Sequence, residues 1–473
     1  MKKSFLMVPL VILVLSGTTL ATQDPQLQQL IDRLQALERT VESQDKEIES
    51  QRAELESLKA DKLSGDVSRY ETAEYGSRSE GVPEYEVPEE RLQAAVKDYL
   101  STEEGKKTVA DASPAKIKAG YKVGKGFYLE TLDDKFKLYI YNRTQVRYTF
   151  ANNDRGEDTS SFRIRRQRVK FAGNAFTKDL TYKVEWDLAA NTGTGKLLDV
   201  YTNYKIEDWL QLRGGQYKVP FNRQELTSSA ELQFMDRSVA DDAFNLSRDI
   251  GVMLHSKVKE GLFEYYLAVM SGAGENQTTN SNNEFLYAAR VAVNPLGDFD
   301  SYSEPDLEYE ETPKLALGAA YAWNNGSKMF VSNAIRTFNR AITLRLFTTD
   351  LKLKWRGFSL LGDFYWRDVT AHSGESLFRQ GSNKGYGYTA QAGYFVPLPY
   401  VSKHLEVAGR YAFVNPDTRN QDDTEREISG GLNWYLFGNE HKFQADVKRV
   451  TRERNSPDDL SDTEFQLQYQ LIF

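Results

Sequence analysis

The segment Phe162–Lys170, FRIRRQRVK, packs four arginines and a lysine into nine residues. Arg143 and Arg147 precede it in KLYIYNRTQVRYTF. A guanidinium is planar, permanently charged, and donates in forks that match oxyanions. A series of such groups can hold an anion weakly at many points, so the chemistry on offer is reversible anion binding. Bond-breaking chemistry has no comparable footing. The chain has no G-x-S-x-G, H-E-x-x-H or Walker-type loop, and it has no Cys. Its four histidines, His255, His372, His404 and His441, form no ligand-spaced pair. The expectation is a protein that is not an enzyme, with no catalytic residue, no metal and no cofactor.

Period-2 alternation is what would aim these cations. In the last segment Phe465, Leu467, Tyr469, Leu471 and Phe473 share one parity, and Gln466, Gln468 and Gln470 share the other. Successive strand side chains point to opposite faces, so one face is apolar and the other polar. Glu427–Phe437 and Lys403–Phe413 read the same way. Sixteen such segments follow residue 120, centred near Tyr141, Arg168, Glu185, Tyr201, Arg213, Leu254, Tyr266, Ala288, Ala319, Leu346, Gly362, Ala390, Val407, Leu432, Asp446 and Gln468. Connectors after odd-numbered segments are long and those after even ones short, except for the long acidic stretch 294–312. These features predict an all-β transmembrane barrel of sixteen antiparallel strands over 120–473. A barrel of that size has a lumen that side chains cannot fill, so it holds water. No run after residue 21 approaches the ~20 apolar residues that a membrane helix requires.

The N-terminal part differs. Residues 1–21 read as a signal peptide: Lys2 and Lys3, an apolar stretch from Phe5 to Leu15, and Thr19-Leu20-Ala21. Over 22–63, Leu27, Leu34, Val41, Ile48 and Leu55 form one heptad row, and Leu30, Leu37, Gln44, Gln51 and Leu58 the other. A strict seven-residue repeat predicts an α-helical coiled coil. Residues 64–119 read as a linker. The net charge is −8, with most of the acid excess before residue 120. The remainder is nearly balanced and offers nothing to nucleic acid. The predicted location is the outer membrane of a Gram-negative-type bacterium, with the coiled coil in the periplasm.

Parity selects the pore-lining candidates. Arg143 and Arg147 lie opposite the apolar set Leu138, Ile140, Val146, Tyr148 and Phe150. Val169 and Phe171 point to lipid, so Arg166, Arg168 and Lys170 point inward. Arg163 and Arg165 have lipid parity, which places them above the membrane or calls for a bulge. Arg345 and Arg410 are further inward candidates. The long loop 219–249 adds Arg223, Arg237 and Arg248 as constriction candidates. Inward parity also collects Glu185, Asp187, Asp199, Glu406, Glu427 and Asp446, so many of these arginines have acids available to pair with.

Several stretches resemble the phosphate-selective porin O and P family: FRIRRQRVKFAGNAF (162–176), DVYTNYKIEDWLQLRGGQYKVPF (199–221), GRYAFV (409–414), GLNWYLFGNEHKFQADV (431–447) and the terminal FQLQYQLIF. The resemblance implies a homotrimeric sixteen-stranded porin whose third loop folds into the lumen. It also implies inward arginines and lysines that conduct phosphate-like anions. The expected function is passive diffusion of small hydrophilic solutes or ions across the outer membrane, with solutes and membrane lipid as partners. A structural role, tethering the outer membrane through the coiled coil, is the alternative.

Overall fold

A computed structural model describes residues 97–98, 101–102 and 117–473, apart from 190–194, 278, 281–282, 328–341, 372–381, 402, 420–422 and 454–458. The chain divides into two compact units, 1–111 and 112–473. The expected signal peptide (1–21) and coiled coil (22–63), and most of the linker (64–119), lie outside the described residues.

Two short strands, β1 (Ile117–Lys122) and β2 (Gly126–Thr131), form a hairpin. The first of these strands begins at Ile117, inside the stretch read as linker. Sixteen strands follow: β3 (Lys137–Asn152), β4 (Thr159–Asn174), β5 (Leu180–Asp187), β6 (Lys196–Glu207), β7 (Leu210–Lys218), β8 (Arg248–Val258), β9 (Phe263–Met270), β10 (Leu286–Val293), β11 (Lys314–Ser327), β12 (Ile342–Trp355), β13 (Phe358–Ala371), β14 (Ser382–Phe395), β15 (Leu405–Asn415), β16 (Glu425–Phe437), β17 (His441–Arg452) and β18 (Leu460–Ile472). Each pairs antiparallel with the next. The sheet closes where β18 meets β3, with Phe465 opposite Phe150 and Gln468 opposite Arg147. Every segment read from alternation is one of these strands. The β1–β2 hairpin continues the wall at the short-turn end, with Phe127 opposite Ile140.

A closed barrel satisfies every strand edge, which hydrocarbon demands. The outer wall is correspondingly apolar. Val252, Leu254, Leu267, Val269, Leu432, Trp434, Phe465 and Leu467 all stand exposed on it. The short turns suit the twist of their strands. Arg356 and Gly357 between β12 and β13 both have positive φ, 48° and 81°, as a two-residue hairpin turn requires.

One irregularity matters for the lumen. The β3–β4 register runs Gln145 opposite Arg166, then Val146 opposite Ile164, so Arg165 is an extra residue on β4. A bulge of this kind resets the parity beyond it. Above the bulge Arg163 lies opposite the inward Arg147. Both arginines with apparent lipid parity are thereby returned to the lumen side.

Two insertions occupy the interior. The loop 219–247, which carries the short helices α1 (Arg223–Leu226) and α2 (Val239–Phe244), folds in from the long-loop end. The connector 294–313 folds in from the short-turn end, with Ser301, Ser303, Glu304 and Asp306 buried. The loop seats on an apolar surface inside the barrel. Val219, Phe221, Phe244 and Leu246 join Met253, Met270, Leu286, Ile342, Leu344, Leu346, Tyr365, Val369 and Val414 in one buried cluster. Small residues make the hollow. Ala268, Ala288 and Ala322 lie in register across β9, β10 and β11, and Leu346 follows on β12. The Phe244 and Tyr365 rings stack with centroids 5.6 Å apart. Gly387 of β14 leaves room for this, since a Cβ there would come within 2.7 Å of Phe244. Burying each such phenylalanine contributes about 1.5–3 kcal/mol.

Candidate functional site: a basic passage beside the third loop

Lys218, the last residue of β7, fixes where the third loop enters the lumen. Its Nζ donates to the carbonyls of Glu225 at 2.6 Å, Leu226 at 3.3 Å and Thr227 at 3.0 Å. An ammonium gathering the last carbonyls of a helical turn is a C-terminal cap. The loop then crosses to the far wall. Ser229 accepts from Gln145 of β3 at 3.4 Å, Leu232 from Lys442 of β17 at 3.0 Å, and Met235 N–H donates to Asp446 at 3.1 Å. At α2, Val239 N–H donates to Glu427 of β16 at 2.9 Å, and Ser238 caps the helix by accepting from Asp241 N–H at 3.0 Å.

A space of about 230 Å³ is left between the loop and strands β4–β8. Ser228 and Ser229 of the loop border it on one side. Its walls carry five cations, Arg168, Lys183, Arg213, Lys218 and Arg248, against two carboxylates, Glu185 and Asp199. Arg168 bonds Asp187 at 2.9 Å and Arg248 bonds Asp199 at 2.7 Å. Lys183 lies between Glu185, at 2.8 Å, and Asp199, at 2.5 Å. Arg213 has no carboxylate partner among the described residues; its guanidinium lies 4.3 Å from the Tyr201 ring centroid and 5.6 Å from that of Tyr217. Lys170 likewise has no ion pair there, its Nζ standing 3.7 Å from the centre of the Tyr141 ring. Aromatic faces hold a cation without cancelling its charge.

The expected pore-lining residues fall into three groups. Arg143 is inward and without an ion pair among the described residues; its Nε has no hydrogen-bond partner there. Arg168 and Lys170 are inward, and Arg168 borders the passage. Arg147, Arg166 and Arg410 are inward but engaged under the loop. Arg147 bonds Asp236, the carbonyl of Met235 at 3.0 Å and Gln468 at 2.9 Å. Arg166 bonds Gln145 at 2.8 Å, and Arg410 bonds Glu427 at 2.6 Å. Arg345 is corrected: it pairs with Asp368 at 3.5 Å on the outward face of β12 and β13. Its neighbours Leu344 and Leu346 face inward because the loop presents an apolar surface to them. Apolar parity there marks packing against the loop and not lipid.

Of the three constriction candidates, only Arg248 borders the passage. Arg223 is a buried strut between Asp350, at 2.6 Å, and the carbonyl of Ser301, at 3.0 Å. Arg237 staples the loop to itself through Glu225 at 3.1 Å and the carbonyls of Gln224 and Thr227. Lys183, Arg213 and Lys218 enter the site without having been singled out. The first two share the inward parity of Glu185 and Tyr217, which was the available signal.

Toward the short-turn end Glu231 of the loop meets a second space of about 380 Å³, bordered also by Asp300, Glu308, Lys354, Lys403 and Glu440. Burial pushes the Glu231 carboxyl up to about 7, and the neighbouring Asp300 adds to the rise against Lys218, Lys442 and Arg143. Asp242 on α2 is likewise raised, to about 6, by burial and by Asp236. For Asp236 burial acts upward, but Arg147 and Arg165 outweigh it and hold the carboxyl well below its usual range.

Comparison with known proteins agrees with this architecture. Residues 136–343 match the family model described as phosphate-selective porin O and P. That stretch contains both FRIRRQRVKFAGNAF and DVYTNYKIEDWLQLRGGQYKVPF. An uncharacterized protein of Aquifex aeolicus (strain VF5) is 24% identical over 381 residues, covering 72% of this chain and 87% of that protein. An anion-selective porin from Comamonas acidovorans shares the fold with a TM-score of 0.50 at 13% identity, covering 71% of this chain and 99% of its own. The outer membrane channel DcaP of Acinetobacter baumannii aligns with a TM-score of 0.49 at 13% identity, over 75% of this chain and 100% of its own.

Proposed function

We propose that this chain, whose residues 136–343 carry the phosphate-selective porin O and P pattern, is an outer-membrane porin through which small hydrophilic anions diffuse passively. The observation that carries the reading is a set of inward cations without carboxylate partners among the described residues, Arg143, Lys170 and Arg213, the last of which borders the open space beside the loop. Ion-paired arginines add little field, whereas uncompensated ones raise the local concentration of anions in a narrow aqueous path. Spacing several weak sites along the wall lets an anion step onward instead of staying bound. Phosphate-like oxyanions suit the guanidinium forks best. The third loop is the constricting element in this reading, and the resemblance supports a homotrimer as the working unit.

Reversal potentials in planar bilayers under a KCl gradient test it. A potential of the sign set by chloride, together with block of chloride current by added phosphate, is the expected result. A potential set by potassium overturns it.

A further inference from the structure

The connector 294–313 contains seven carboxylates and no basic residue, a composition suited to a solvated turn. Yet Glu304 is buried. Its backbone N–H donates to the carbonyl of Glu231 at 3.0 Å. Its carboxylate accepts from Gln233 N–H at 2.7 Å, from Gln224 Nε2 at 3.3 Å and from Gln391 Nε2 of β14 at 2.8 Å. Its carbonyl accepts from Lys352 Nζ of β12. A buried carboxylate is tolerated only when its oxygens are met by donors, and here two of those donors belong to the third loop.

The placement of those two is the important point. Gln224 and Gln233 bracket residues 225–232, the arc that contains Ser228 and Ser229 at the basic passage and Glu231 below it. One carboxylate thus grips both ends of the arc, while Lys218 gathers its first carbonyls from the opposite wall. The arc's span is fixed from two sides.

We propose that Glu304 is a positioning residue for the pore: the periplasmic connector latches the third loop, so the width of the passage is set jointly by segments arriving from opposite faces of the membrane. The proposal rests on the porin reading and adds to it an element outside the loop. Charge is not the operative property of Glu304; its two acceptor oxygens are. Glu304→Gln replaces one acceptor by an NH₂ group that faces donors, which opens the grip at one end of the arc.

Single-channel recordings on the full-length protein in bilayers test this. Glu304→Gln is expected to change conductance by roughly twofold and to raise open-channel noise several-fold, as a loosened constriction should. Glu304→Asp, which keeps both oxygens, is expected to recover part of the wild-type trace. Lys352→Met keeps the carboxylate but removes the bond to the Glu304 carbonyl, and is expected to shift noise in the same direction by less. Heat-resistance of the barrel in detergent reports folding separately. Folded Glu304→Gln and Lys352→Met channels with wild-type conductance and noise overturn the latch. If Glu304→Gln does not fold, Lys352→Met decides alone, and a quiet trace from it overturns the latch. Wild-type protein that forms no anion-selecting channel overturns the porin reading instead.

Discussion

Arg147 of β3 and Asp236 of the third loop form an ion pair in which the arginine side chain is wholly buried. Arg165 on the β4 bulge reaches the same carboxylate at 3.1 Å and Arg166 approaches it at 3.7 Å. One acid therefore sits among three bases, and the loop is held to the wall by the group that the wall's charge most requires.

Asp236→Asn should accordingly do two things. It removes the partner of a buried arginine, which costs about 3 kcal/mol or more, so the barrel should unfold at lower denaturant. In channels that still form, the freed arginines should strengthen anion preference. A stability unchanged from wild type in urea titrations, with an unchanged reversal potential, would contradict both expectations.

Reversing charge at the passage tests the site directly. Arg213→Glu places a carboxylate between Tyr201 and Tyr217, where no acid among the described residues pairs with Arg213 now. The chloride-to-potassium permeability ratio should fall by about tenfold, within the range that local fields alter ion concentration. Arg223→Gln, away from the passage, should disturb the loop's stability more than it disturbs selectivity. Equal effects of the two variants on reversal potential would argue against a localised filter.

The pH response follows from Glu231, raised to about 7 by burial and Asp300. A raised carboxyl favours the protonated form in the folded state. The stability it lends is complete below its ordinary range and is lost as pH rises through about 7. For conduction the sign is the same as for any acid beside a basic path. Above pH 7 the carboxylate offsets Lys218 and Arg143, and below it the site is neutral. Anion preference should therefore increase as pH is lowered from 8 to 6. Glu231→Gln should show the low-pH value throughout, and a variant that retains the full pH step would assign the effect elsewhere.

Phe244→Ala should cost about 3–5 kcal/mol, as large-to-small changes in a packed core do, because the ring stacks on Tyr365 and fills the room that Gly387 leaves for it. The loop should become protease-sensitive and the channel wider. Gly387→Val should produce the same phenotype from the opposite side, since its side chain would strike Phe244. Proteolysis of purified barrels followed by mass mapping of the cut sites would show whether cleavage falls within 219–247.

The strands were legible because most of the wall obeys one rule, polar inward and apolar outward, most clearly in β16 and β18. The rule fails where the lumen is dry. Leu344 and Leu346 face the loop, so Arg345 between them faces out. Nothing in the alternation of one strand reveals what a distant loop lays against it. The bulge at Arg165 was undetermined for a related reason: RIRR reads equally well in either register, and only pairing with β3 decides it. Lys183 and Arg213 shared the right parity but stand singly, without the clustering that marks FRIRRQRVK. The inward fold of 294–313 had a trace in the sequence, its length at a position where the other turns are short, but no pattern said which of its carboxylates would be buried.

The third loop joins the chain between β7 and β8, yet it is tied to β3 and to β13 through β17. All of those partners except β3 are synthesised after the loop. The order of assembly is therefore constrained: contacts so distant along the chain form late, once the entropy of closing large loops has been met. The filter cannot be finished before the last strands join the first. An unclosed sheet has walls but no seated loop, and the step that completes the barrel is also the step that would install the selectivity proposed above.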